Sequence, residues 1–313
     1  MIGFLLDGLI AAGLVGLAYQ AVTSRSLFRG IIHFVVFGLT MALAWARVGA
    51  PDLAMAEAAI GAGLTGALML VAYRRLVEDR RDAPVDPGPA KSRLALPIAI
   101  GSGLLVGVIG LSALFSDVEP GQAGQAVLAD LQQVDLGNPI TGVLLLYRGI
   151  DTLLEVAVLL TAFLAARALA GSESGTGSPT TQGPETPMVG ALLAVVIPLT
   201  VLVSVHLLRA GSYEPGGAFQ AGAVLAGAGV LLILSGRIAA AETAGLLVRM
   251  GLLAGLVSFI LIGLTPLLHG GPLLALPGLW AVYFIETAMM VSIAITLVLL
   301  FAGGGGLKRG KHG

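Results

Sequence analysis

Acidic side chains lie within long apolar stretches of this chain, where a charge is costly and usually marks an ion or proton path. The clearest group is Arg148, Asp151 and Glu155, whose spacing of three and four residues puts them on one face of a helix. Arg148 can neutralise Asp151, which leaves Glu155, about one turn deeper, as the better candidate for proton exchange. The alternative is an ion pair at the membrane interface that anchors the end of the helix.

Other carboxylates occupy the first, third and last apolar stretches. Asp52 follows Pro51 at the start of a helix, where the positive end of the helix dipole favours a capping role, although it also remains a path candidate. Glu57 lies farther along and is followed by glycines and alanines that permit close helix packing, so we expect it on an ion path. Glu286 fits a path residue and an interhelical hydrogen-bonding residue equally well. Asp7 fits an interfacial role.

Other residue types suggest few additional chemistries. His33 is able to relay protons, but a packed, hydrogen-bonded histidine is the commoner case. The four histidines have no carboxylate partner close in sequence and the chain has no cysteine, so we predict no metal site, iron–sulfur cluster or disulfide. No phosphate-binding loop, dinucleotide fingerprint or nucleophile elbow is present. We therefore expect no cofactor, no nucleic-acid partner and no covalent catalysis.

These residues must be positioned by long apolar segments. A bilayer core of about 30 Å requires about 20 helical residues, and continuous rather than alternating apolar runs favour helices over barrel strands. Hydrophobic residues make up 57% of the chain and charged residues only 11%, against about 25% charged in soluble domains. The sequence predicts an all-α polytopic integral membrane protein with about nine transmembrane helices. The predicted stretches are 2–22, 27–46, 53–73, 94–115, 140–170, 188–208, 218–236, 245–266 and 279–302.

The distribution of lysine and arginine predicts the orientation of these helices. Loops after odd-numbered helices, together with the C-terminal tail, hold 14 of the 17 basic residues, and loops after even-numbered helices hold 3. Basic residues favour the cytoplasmic side, so we expect the N-terminus outside and the C-terminus in the cytoplasm. The three basic residues of the predicted outer loops are Arg47, Arg148 and Arg209.

Two polar segments divide the chain into blocks of three, two and four helices. Residues 78–93 are charged and proline-rich, and we interpret them as a cytoplasmic linker. Residues 171–187 are rich in Gly, Ser, Thr and Pro, a composition typical of a flexible linker. The predicted units are 1–77, 94–170 and 188–302, with a basic cytoplasmic tail at 303–313.

A glycine-rich segment enters the seventh apolar stretch from the predicted outer side. Gly216 and Gly217 relieve the steric limits on a turn, and Gln220 can satisfy backbone or partner groups within the membrane. Together with Pro215 and Phe219 they form a sequence motif that we interpret as structural.

These motifs resemble those of a known family. The first block, with Ala50-Pro-Asp-Leu-Ala and Glu57-Ala-Ala-Ile-Gly, resembles an MbhD-like domain. The second, with Asn138-Pro-Ile-Thr and Asp151-Thr-Leu-Leu-Glu, resembles an MbhE-like domain. The third, with Pro215-Gly-Gly-Ala-Phe-Gln-Ala-Gly, is similar to the MnhB/MrpB subunit. The chain therefore resembles accessory membrane subunits of the Mrp-type multisubunit cation/proton antiporters and of the related membrane-bound hydrogenases.

The resemblance implies a transporter subunit rather than an enzyme, with Glu155 at the family's acidic position implicated in transport. It implies as partners other Mrp or complex I-like membrane subunits, the lipid bilayer, H+, and Na+ or another monovalent cation. It also implies the inner membrane of a bacterium or an archaeon. The antiporter-like domain that precedes the first block in the family is absent here, so we expect partner subunits to supply the main proton channel.

Three alternatives to a cation/proton antiporter subunit stay open at this point. The same module occurs in redox-driven complexes, and Glu57 matches the hydrogenase-type version better than the antiporter-type version. A purely structural scaffold would use its acids only to fix helix packing. A self-contained solute carrier is disfavoured because the sequence shows no internal repeat.

The charge distribution generates a first prediction. With epitope tags at both ends, labelling of intact cells should reach the N-terminal tag and leave the C-terminal tag protected, because the basic residues lie mainly in loops on the side of the C-terminus. A C-terminal tag accessible from outside would contradict the orientation and the helix count on which it depends.

Overall fold

A computed structural model describes residues 2–79, 95–115, 122–131, 136–170, 187–241, 245–303 and 306–309. The described residues are almost entirely helical, as expected for a chain that must satisfy its backbone hydrogen bonds inside lipid. Residues 80–93 and 171–186 of the two predicted linkers, and residues 304–305 and 310–313 of the predicted basic tail, lie outside the described residues.

Every predicted apolar stretch contains a helix. Among the described residues, seven helices are long and apolar enough to cross a membrane, and two shorter apolar helices, Leu96–Ser112 and Ala218–Leu234, add to them. The all-α membrane fold is thus confirmed. The α-helices are α1 Ile2–Thr23, α2 Leu27–Arg47, α3 Pro51–Ala56, α4 Thr65–Asp79, α5 Ala95–Phe115, α6 Gln122–Leu131, α7 Pro139–Gly142, α8 Gly149–Ala170, α9 Pro187–Ala210, α10 Ala218–Leu234, α11 Leu246–Leu264 and α12 Leu279–Ala302.

Two of the apolar stretches contain π-helical turns that the sequence analysis did not predict. Residues Glu57–Leu64 form a π-helical segment between α3 and α4, so the third stretch is continuous but locally underwound. A second π-helical segment, Val143–Tyr147, follows α7. Such turns leave the ordinary helical hydrogen-bond register and occur frequently at functional sites.

The fifth stretch was wrongly predicted as one helix over 140–170. Its backbone departs from helical geometry at Arg148, where φ is −119° and ψ is 32°, and α8 begins at Gly149. The break allows the Thr152 hydroxyl to donate to the Leu144 carbonyl at 2.8 Å, which bonds the start of α8 to the preceding π-helical segment. Composition did not reveal the break because both sides of it are apolar.

The core of the described structure is built around the last helix. In α12, 67% of the residues in an 18-residue apolar window are buried inside the protein. The corresponding share in each of the other six long helices is at most 33%. α12 packs against α10, α11 and α8, and the apolar side chains of the third stretch lie against the same core. Helix α5 is the opposite case, because every described side chain from 96 to 112 is exposed within this chain.

Contacts join connecting segments at both ends of α10. Contacts join the residues before the third stretch, before the fifth and before the seventh at one end. At the far end of α10, strand β1 (Ile238–Ala241) pairs antiparallel with β2 (Gly306–Arg309). The short strand pair was not predicted. Which end faces outside stays a prediction.

Candidate functional site

The first and third blocks are joined by a buried carboxylate. Asp52 is only 8% exposed, and its Oδ1 accepts a hydrogen bond from the Gly216 amide at 2.9 Å. The Gln220 side-chain amide donates to the Asp52 carbonyl at 3.2 Å. A hydrogen bond to a charged group contributes about 1.5–3 kcal/mol, roughly twice the value of a neutral one. Hydrogen bonds to Asp52 therefore fix the segment that precedes α10 against the start of α3.

The expected helix-capping role of Asp52 is wrong. The N-cap of α3 is Ala50, and no side chain caps that helix through a hydrogen bond. Because Asp52 lies in the first turn, its charge still benefits from the helix dipole. Its partner is 164 residues away in sequence, which local spacing cannot reveal.

The second block contacts the same segment through the Asn-Pro-Ile-Thr motif. The Asn138 side chain caps α7 by accepting from the Ile140 amide at 2.9 Å, and it donates to the Glu214 carbonyl at the same distance. Thr141 donates its hydroxyl proton to the Gly211 carbonyl. One motif thus starts a helix and also satisfies carbonyl groups in a loop of the third block.

Glycines make this close packing of backbones possible. A Cβ atom at Gly216 would lie 2.4 Å from the Leu207 carbonyl oxygen, closer than side chains are found. Gly217 has a φ of +115°, a conformation that residues with side chains rarely adopt. The motif that the sequence analysis interpreted as structural therefore has a steric basis at these two positions.

A cavity of about 80 Å³ lies where the three blocks meet. Its ionisable lining residues are Asp52, Glu155 and Glu286, one from each block, and none of the described lining residues is Lys, Arg or His. The remaining lining residues are Ile140, Thr141, Leu144, Leu145, Thr152, Gly216, Gly217, Ala218, Phe219, Gln220 and Met289. A space of this size and polarity is able to hold several water molecules.

Glu286 is the most deeply buried of the three carboxylates, with 4% of its surface exposed. Its carboxylate lies against the backbone amide of Ala218, the first residue of α10. Among the described residues, its Oε2 atom has no hydrogen-bond partner. An unsatisfied buried carboxylate oxygen is energetically costly, and none of the described side chains offsets that cost at Oε2.

Glu155 borders the cavity and also an open groove. The groove has a volume of about 470 Å³ and is lined by Leu144, Arg148, Asp151, Leu154, Glu155 and Val158. Arg148 and Asp151 form an ion pair there at 2.5 Å. Of the described ionisable residues around the two spaces, Glu155 alone lines both. It is exposed within this chain, whereas Glu286 is not.

Two predicted path residues lie away from this cavity. Glu57 is half-buried in the π-helical segment of the third stretch, and its carboxylate folds back against Gly61, where an added Cβ would lie 2.2 Å from Oε1. His33 is half-buried in α2, with its Nδ1 atom 3.2 Å from the Ser24 hydroxyl. Asp7 forms an exposed ion pair with Arg47 at 2.9 Å.

Two threonines in the cavity wall were not assigned a role from sequence. Thr141 and Thr152 are buried, and they belong to the Asn-Pro-Ile-Thr and Asp-Thr-Leu-Leu-Glu motifs. A threonine near the start of an apolar helix is common, so neither its type nor its position indicated a functional role.

Among the described residues, no group of three or more His, Cys, Asp or Glu side chains is arranged to hold a metal ion.

Two protein-family models match the chain. One is MbhD, a family of MBH subunits, and it matches residues 12–78. The other, described as a domain related to the MnhB subunit of Na+/H+ antiporter, matches residues 188–306. Residues 94–170 lie between the two matches, so the MbhE-like assignment of the middle block stays a prediction. No curated protein matches the chain significantly.

A solved structure shares the fold. It is the structure of the Mrp complex from Dietzia sp. DQ12-45-1b, which matches with a TM-score of 0.74 and 21% sequence identity. The match covers 95% of this chain and 34% of the other chain, so this chain spans about a third of the length of that relative.

The fold and the family matches define a multi-pass helical membrane protein that joins an MbhD-type and an MnhB-type domain. The two domains are joined in one polypeptide whose fold is shared by a chain of the Mrp complex. The resemblance drawn from the sequence motifs is confirmed for the first and third blocks.

The contacts between blocks generate a second prediction. Thr141→Val keeps the shape of the side chain but leaves the Gly211 carbonyl without its donor, so the variant should lose about 1–3 kcal/mol of stability and unfold at a lower temperature in detergent. The matched control is Thr161→Val, which removes only an exposed bond to Ala157 within α8. Equal unfolding temperatures for the two variants would contradict the role assigned to Thr141.

Proposed function

We propose that this chain is a membrane subunit of a cation/proton antiporter-type complex, and that it contributes carboxylates to the path of the transported ion. The domain types favour this function. The observation that carries the proposal is the position of Glu155, which lines both an open groove and a cavity with two further carboxylates. Intramembrane carboxylates of this kind are expensive and characteristic of ion paths.

The roles of the charged residues differ along this path. Arg148 and Asp151 neutralise one another in the groove, which leaves Glu155 as the remaining acid among its described lining residues. An ion or proton that enters the groove meets Glu155 first and the cavity with Asp52 and Glu286 next. Proton or cation exchange at Glu155 requires only that its side chain change partners, because it borders both spaces.

Partner subunits complete this function. The exposed apolar surface of α5 and the open groove beside α8 are surfaces that other membrane subunits or lipid would cover. Other Mrp-type subunits are the proposed partners, with H+ and a monovalent cation such as Na+ as the transported ions. The proposed location is the inner membrane of a bacterium or an archaeon. Glu57 and His33 remain candidates for a separate branch of the path.

The proposal is tested at Glu155. In the assembled complex, Glu155→Gln keeps the size of the side chain but removes its titratable charge, so cation-dependent proton transport in inverted membrane vesicles should be lost while assembly is retained. Asp7→Asn, which alters an exposed ion pair away from the cavity, should be far milder. An assembled Glu155→Gln complex with unchanged transport would show that this residue is structural.

A further inference from the structure

The first block carries arginines at one end of its membrane-length helices. The apolar spans of this block are Gly3–Thr23, Leu27–Arg47 and Pro51–Arg74. Arg25 lies in the turn between the first two spans, Arg29 lies in the first turn of the second, and Arg74 ends the third. These arginines therefore lie near the level at which the helices leave the apolar part of a bilayer.

A contact between two aromatic rings brings these helix ends together. The ring centroids of Phe28, at the start of α2, and Tyr73, near the end of α4, lie 5.6 Å apart. The two helices also pack against one another. Because Arg29 and Arg74 directly follow these aromatic residues, the packing of α2 on α4 gathers arginines that are far apart in sequence.

Among the described residues, the positive charge of these arginines is not offset by an ion pair. Arg25, Arg29 and Arg74 are exposed, and none of them takes part in a salt bridge with a described residue. Arg75 adds a fourth positive charge to the sequence of α4, and the acids of that helix, at 78–79, follow about one turn beyond the span. Like charges gathered at one level repel one another, so a bound anion would lower the free energy of this end of the block.

We infer that this end of the first block, formed by Arg25, Arg29 and Arg74 with the rings of Phe28 and Tyr73, binds the headgroup of an anionic phospholipid. A guanidinium group donates hydrogen bonds to phosphate oxygens in a fixed fork. Phe28 is 45% exposed, which leaves part of its ring available to acyl chains at the depth where aromatic side chains are enriched.

A lipid fits this surface better than a soluble anion does. The arginines lie at the boundary of apolar spans, where the phosphate groups of a bilayer are concentrated. Basic clusters directly beside membrane helices are typical of sites for anionic lipids. The inference is independent of the proposed ion path, because the carboxylates of that path lie in and around the cavity between the three blocks.

The test measures equilibrium binding of phosphatidylglycerol, labelled with a fluorescent group on one acyl chain, to the full chain in a neutral detergent. It should bind at least about tenfold more tightly than phosphatidylcholine labelled in the same way, because only phosphatidylglycerol carries a net negative charge. Unlabelled phosphatidylglycerol should compete, whereas glycerol phosphate, which lacks acyl chains, should not. Equal affinity for the two lipids, or equal competition by glycerol phosphate, would overturn the inference.

Variants locate the lipid. Arg29→Gln and Arg74→Gln should each weaken phosphatidylglycerol binding about fivefold and leave phosphatidylcholine binding unchanged, because each removes one basic contact at the membrane surface. Arg29→Lys keeps the charge and should retain most of the affinity. Arg209→Gln is the matched control and should bind as the wild type does, because Arg209 is an exposed arginine at the opposite end of the helices.

The combined variant Arg25→Gln, Arg29→Gln and Arg74→Gln decides between a lipid and a protein partner. We expect it to lose the preference for phosphatidylglycerol over phosphatidylcholine. Wild-type affinity for phosphatidylglycerol in this folded variant would overturn the assignment. If that affinity were unchanged while partner subunits no longer co-purified with the variant, the surface would be assigned to an acidic protein instead of a lipid.

Discussion

The arrangement of the three blocks depends on how the backbone of residues 211–217 is satisfied. This segment is not helical, and non-helical backbone in a membrane protein is tolerated only where protein groups or water supply its hydrogen bonds. The first block supplies a carboxylate to Gly216, and the second supplies Asn138 and Thr141 to three carbonyl groups of the segment. Each block therefore completes the hydrogen bonding of another.

The cavity follows from this packing. The loop that receives these bonds leads into α10, whose first residues border the cavity together with α12 and α8. Because the three carboxylates come from three blocks, the cavity exists only when all three are in place. A chain with separate domains in sequence thus has one shared interior.

The sequence indicated where helices lie and which carboxylates are unusual, but not how the helices are interrupted or what the carboxylates contact. Uninterrupted apolar runs predicted the membrane-spanning helices. The free-energy cost of a charged side chain inside lipid made Glu155, Glu286 and Asp52 candidates for a functional role. The break at Arg148 and the two π-helical segments could not be predicted, because composition does not report hydrogen-bond register. The partner of Asp52 and the separation of Glu57 from the cavity could not be predicted either, since both depend on how distant segments pack.

The chain's lack of cysteine allows a direct measurement of whether water reaches the cavity between the three blocks. A thiol introduced by Thr152→Cys would line the cavity, whereas one introduced by Val156→Cys, one turn later on α8, would lie in the buried apolar core. Thiols react as thiolates, which form only where water reaches them. We expect a small charged thiol reagent to modify Thr152→Cys and to leave Val156→Cys unmodified. Equal protection of both thiols would contradict this expectation.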